Sequence, residues 1–180
     1  MARTKKMMEE IIKEAEYKYP NNEMFHGAWC EGNYQFVTDS YRAVCLYNPV
    51  DVKERDKQYS LSVTQKFTDA EQCCTKEIEL PSVKEIREQI SNLIGRKYRS
   101  NRVLYRLGND PNLASVNAKY LVELMECLGA TTIKYYPRQA TKGMLLMETD
   151  LGKAILLPVY SQTKNVGYWT PDPVFDVFKE

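Results

Sequence analysis

FVTDSYRAVCL, residues 36–46, sets a short polar stretch and one arginine between two apolar runs. Runs rich in β-branched and aromatic residues around such a stretch read as the two strands of a hairpin. Asp39 then lies in the turn, where its carboxylate can accept backbone N–H groups. Arg42 opens the second strand, where it can pair with Asp39 or cover neighbouring strands. The competing reading places both in an active site. Acid–base chemistry needs titratable groups converging on a pocket, yet the one histidine, His26, precedes an apolar strand, and no Ser-His-Asp, HExxH, P-loop or GxSxG pattern occurs. Asp39 and Arg42 are therefore expected to be structural, with no catalytic residue.

Outward from this hairpin, residues 26–49 read as a β-meander with a second turn at Gly32-Asn33. Before it, Met8, Ile11, Ile12, Ala15 and Tyr19 recur at helical spacing and predict an amphipathic helix ending near Pro20. After it, Lys57 to Val63 alternates like a strand and leads into a polar stretch around Cys73-Cys74. Ser82 and Glu85 form a capping box for a helix with Val83, Ile86, Ile90, Leu93 and Ile94 on one face, ended by Gly95. Asn117 can cap another helix, with Leu121, Leu124, Met125 and Leu128 as its buried stripe and Gly129 as its stop. Three strands follow, within 131–137, 143–149 and 154–160. This order predicts an α+β fold, an antiparallel sheet packed against two or three helices. The expected organisation is one domain over 1–165, with an inserted helix at 82–94, and an apolar tail over 166–180. No internal repeat is evident.

With 25 Lys and Arg against 24 Asp and Glu, the chain of 180 residues carries a formal charge of +1. The whole-molecule field therefore steers toward neither nucleic acid nor anionic membrane, and any basic surface must be local. The one such patch is Arg96, Lys97, Arg99, Arg102 and Arg106, with Tyr98 and Tyr105 interleaved. If it touches DNA, binding is weak, salt-sensitive and sequence-independent; the alternative is a solvated face. No window approaches the roughly 20 apolar residues that span a bilayer, so a cytoplasmic protein without a membrane partner is expected. The five cysteines lack disulfide-framework spacing and are expected to be reduced. Cys73-Cys74 with His26 and Cys30 makes a poor zinc set, and no metal or cofactor is expected. Glu71, Glu77 and Glu79 are the nearest carboxylates to a nuclease cluster, and read as a solvated face. Met7, Met8, Met125, Met144 and Met147 fall where core stripes put them.

The end of the chain is unusually apolar. Trp169, Val174, Phe175 and Phe178 want a surface to cover, and Pro171 and Pro173 favour an extended path. They are read either as closing the core or as docking in a groove of the same subunit or a neighbour.

The segment 115–160 resembles the closing half of a domain of the bacterial sliding clamp, the beta subunit of the replicative DNA polymerase. The matching positions are Asn117 at a helix start, Tyr120-Leu121 soon after, and Leu157-Pro158-Val159 at the end of the last strand. The opening hairpin is similar to the same family at Thr38, Asp39, Tyr41, Arg42 and Ala43. The resemblance covers about a third of the chain, with neither motif diagnostic alone. It implies a clamp-like domain, a non-enzymatic binding role in DNA replication or repair or in a mobile element, and DNA and replication proteins as partners. Such a subunit strings three domains together, so one domain would need a homo-oligomer of about six copies to close a ring. The alternative is a protein-interaction or regulatory oligomer without DNA contact, and after that an enzyme with an unrecognised site.

Overall fold

The computed structural model describes residues 2–56, 62–94, 104–107, 114–140 and 143–159. Helix α1 (Ala2–Lys18) buries Met7, Met8, Ile11, Ile12 and Ala15. The strands β1 (Trp29–Glu31), β2 (Tyr34–Thr38) and β3 (Arg42–Leu46) form the expected meander. Helices α2 (Ser62–Cys73) and α3 (Val83–Ile94) flank a short strand, β4 (Lys76–Glu79). A two-stranded ribbon, β5 (Leu104–Arg106) and β6 (Ser115–Asn117), precedes α4 (Ala118–Leu128). Strands β7 (Thr132–Tyr135), β8 (Leu145–Thr149) and β9 (Gly152–Leu156) complete the described chain.

Seven strands make one sheet in the order β1-β2-β3-β9-β8-β7-β4, and every neighbouring pair is antiparallel. The fold is α+β. Strand alternation sends Val37, Val44, Leu46, Leu145, Met147, Ala154 and Leu156 to one face, under α1, α3 and α4. Trp29, Phe36, Ala43, Cys45, Leu146 and Ile155 point the other way, under α2.

Of the strand expected over Lys57 to Val63, residues 57–61 lie outside the described residues, and Ser62-Val63 instead open helix α2. The alternation ending at Val63 reads as period two, but Val63, Phe67, Ala70 and Cys74 share one helical face and are all buried. The polar stretch expected around Cys73-Cys74 is the end of that helix. The capping box is reciprocal, with Ser82 N–H donating to Glu85 (2.7 Å) and Glu85 N–H to Ser82 Oγ (3.2 Å). Asn117 Oδ1 caps α4 by accepting from Lys119 N and Tyr120 N, and Gly129 ends it at a left-handed φ of 67°.

The sheet also contains a repeat that the sequence does not announce. Helix α1 with β1-β2-β3 and helix α4 with β7-β8-β9 are the same unit, a helix followed by three antiparallel strands, and their last strands join at the centre. Register makes the relation two-fold: Val44 faces Ala154, with Arg42 opposite Leu156 and Leu46 opposite Gly152 at equal distances on either side. Hydrogen bonds obey it. Tyr41 N–H donates to Asp39 Oδ1 in one hairpin and Leu151 N–H to Thr149 Oγ1 in the other. Likewise Leu157 N–H donates to Tyr41 O, and Tyr47 N–H to Leu151 O. Gly152 occupies the position equivalent to Arg42, and a Cβ there would come within 2.2 Å of the Cys45 carbonyl oxygen.

Candidate functional site

The two helices of the repeat run antiparallel, since Thr4 Oγ1 donates to Cys127 O at one end and Lys119 Nζ to Glu14 Oε1 at the other. At that second end they close over the β2–β3 turn. Ser40 takes a left-handed φ of 72°, its hydroxyl bonded to that of Tyr19 at 2.6 Å.

Arg42 is the hub of this end. Its side chain, like that of Asp39, is fully buried. Nε donates to Asp39 Oδ2 at 3.1 Å, Nη1 to Glu123 Oε2, and Nη2 to Glu14 Oε2 at 3.4 Å. The guanidinium lies over the Tyr120 ring, 4.0 Å from its centroid. Asp39 Oδ1 accepts from Tyr41 N and Arg42 N, each at 2.9 Å. Lys119 Nζ also sits 3.6 Å from Glu123, and Tyr120 donates its hydroxyl to Glu14 at 3.1 Å. One arginine thus ties a hairpin turn to both helices.

The electrostatics fix these groups in the forms they hold at neutral pH. Burial alone would raise the Glu14 carboxyl, but Lys119, Arg42 and the Tyr120 hydroxyl outweigh it and leave it below the ordinary value. Burial would also favour neutral Arg42 and Lys119, and the carboxylates around them reverse that and raise both. Burial, then the Glu14 charge, pushes the Tyr120 hydroxyl well above an ordinary phenol. A general acid or base works best with a pKa near the operating pH, and these four groups are driven away from it.

A stability prediction follows from Glu14. Its folded-state pKa is depressed below the unfolded 4.5, so its contribution is full above pH 4.5 and is lost as pH falls through the lower folded value. Thermal melts from pH 7 to pH 2.5 are expected to fall more steeply below pH 4.5 for the native chain than for Glu14→Gln. Parallel curves would refute the coupling.

Arg96, Lys97, Arg99 and Arg102 lie outside the described residues, and Arg106 stands in β5 opposite Ser115. Trp169, Val174, Phe175 and Phe178 also lie outside them. Glu71 on α2 pairs with Lys153, while Glu77 and Glu79 are on β4, where Glu77 accepts from Thr132. Among the described residues no three His, Cys, Asp or Glu side chains are grouped to hold a metal ion. His26 Nε2 hydrogen-bonds the Tyr19 carbonyl oxygen. All five cysteines are free, and burial pushes the Cys45, Cys74 and Cys127 thiols up to about 11. Such thiols stay protonated and unreactive. No described helix is long and apolar enough to cross a membrane.

Glu14, Lys119, Tyr120 and Glu123 were not foreseen as partners of Arg42. The available signal was parity: Arg42 shares the inward face with Val44 and Leu46, and a cation there needs carboxylates from whatever packs above it.

Fold and site together define an α+β protein with a two-fold pair of helix-plus-three-strand units, clasped by a buried arginine. Comparison with family models, with curated proteins and with solved structures returns no match.

Proposed function

We propose that this chain is a non-enzymatic binding module with the architecture of a sliding-clamp domain, acting in DNA metabolism. The observation that carries this reading is the paired repeat, which sets two antiparallel helices side by side on one face of a continuous sheet. It agrees with the resemblance seen at Asn117, Tyr120 and the β2–β3 hairpin. The clasp serves it by holding the helix pair rigidly on the sheet.

The exposed side of α1 carries Arg3, Lys6 and Lys13, which have no carboxylate partner among the described residues, while its exposed Glu9 faces Lys5. On α4, Glu123 and Glu126 are already engaged by Arg42 and Arg87. Phosphate contacts would therefore come from α1 together with the basic run at 96–106. Retention on duplex DNA is expected at low salt, independent of sequence, with log affinity falling by about 0.9 per phosphate contact per decade of salt. Arg99, Arg102 and Arg106 changed together to Gln should abolish it, and Arg3, Lys6 and Lys13 changed to Gln should weaken it. Salt-insensitive retention, or retention unchanged in both variants, would remove DNA from the function.

A second reading, a protein-interaction module without DNA contact, is favoured by one feature. Tyr34 and Leu151, each about half exposed, flank Tyr47 at one end of the sheet. Aromatics of this kind give contact area at low entropic cost. A solution mass above that of one chain, lowered by Tyr34→Ser with Leu151→Ser, would favour it.

A further inference from the structure

A largely apolar groove opens on the α2 side of the sheet and reaches the β2–β3 turn, where Ser40, Tyr41 and Arg42 also line it. Its floor is Ile155 and Leu157, its walls Phe25, Val63 and Met144, and Lys66 stands at its rim; the cavity measures about 100 Å³. That is below the roughly 300–1,000 Å³ of small-molecule sites and suits one or two inserted side chains. We propose that this groove seats the chain's own C-terminal segment, Val174–Phe178, as an extended peptide.

Three observations commit the groove to this occupant. The chain arrives beside it: Leu157 lines the groove, and Val159, two residues on, is the last described residue. Residues 160–180 remain, and the fifteen steps from Val159 to Val174 can span up to about 50 Å, so returning to the groove needs no strain. Chemistry matches as well. Val174, Phe175, Val177 and Phe178 supply apolar side chains, and Pro171 and Pro173 lower the entropy lost on ordering an extended path. Charge completes the fit. Lys66 is exposed with no carboxylate partner among the described residues, whereas Asp172 and Asp176 bracket Val174-Phe175. An extended Val174–Phe178 alternates sides, so an aromatic can enter while Asp176 stays at the rim.

The test uses the full-length chain with methyl-labelled methionine, isoleucine and leucine. Nuclear Overhauser contacts are expected from the Phe175 or Phe178 rings to the Met144, Ile155 and Leu157 methyls. Phe175→Ala with Phe178→Ala should remove them and raise amide exchange in α2 about tenfold, while α4 is unchanged. Lys66→Glu should weaken the contacts and Asp176→Lys in that background should restore them, a rescue that a merely misfolded variant cannot give. Absence of ring-to-methyl contacts in the native chain overturns the proposal. So do contacts found only between differently labelled subunits, which would assign the groove to a second copy, and so does α2 exchange indifferent to the phenylalanines.

Discussion

Arg42→Ala is expected to lower the free energy of unfolding by about 3–5 kcal/mol, read from urea denaturation at pH 7. The magnitude follows from what is left behind. Asp39 is fully buried, and it keeps only backbone donors once the guanidinium is gone. Glu123 and Glu14 both retain Lys119, but Glu123 loses its nearer cation and Glu14 its second one. An uncompensated buried carboxylate costs several kcal/mol, more than the Coulombic worth of a surface pair. Tyr120 also loses the flat cation stacked on its ring. Arg42→Lys tests geometry apart from charge, because an ammonium cannot reach three carboxylates from one planar fork. It is expected to recover only part of the loss. A double-mutant cycle with Asp39→Ala isolates the pair and should show favourable coupling above about 1 kcal/mol. A loss under about 1 kcal/mol for Arg42→Ala would mean that the hairpin and helices stand without the clasp.

The same residue shows where sequence reading stopped. Periodicity and caps located α1, α3 and α4, because each has a clean apolar stripe and a recognisable start or stop. Turn chemistry located β2–β3 and β8–β9. The repeat escaped because likeness and geometry disagree by one residue. Thr-Asp recurs at Thr38-Asp39 and Thr149-Asp150, and lining these up sets Arg42 on Lys153, whereas the strand register sets Arg42 on Gly152. A one-residue offset in a strand exchanges its faces, so Arg42 enters the helix side while Lys153 meets Glu71 of α2 on the other. Turn length caused the offset: the first hairpin turns at Ser40-Tyr41, one position later than its counterpart at Asp150-Leu151. Sequence also had no means of placing Glu14 beside Glu123. They are far apart in the chain and meet only through the antiparallel crossing of α1 and α4.

Leu124→Ala is the second large effect, at about 2–5 kcal/mol. Leu124 is wholly buried in α4, within the cluster that α1, α3 and the sheet build together. Its neighbours on the stripe, Leu121, Met125 and Leu128, are held by a helix fixed at both ends, by the Asn117 cap and by Gly129. Helix α4 cannot slide inward to fill a void, because the clasp at Glu123 pins the next residue to the hairpin. The cavity should therefore persist, which places the loss in the upper part of that range. The m-value should not change, since the same surface is exposed on unfolding. Leu124→Met, nearly equal in volume, should cost under about 1.5 kcal/mol, and Leu151→Ala at a half-exposed turn under about 0.5 kcal/mol. The decisive comparison is Leu124→Ala in the Arg42→Ala background. With the clasp gone, α4 is free to settle toward the sheet, so the cavity should partly collapse and the second substitution should cost less than it does alone. Strict additivity would show that α4 is positioned by the core by itself, and that the buried arginine does not restrain it.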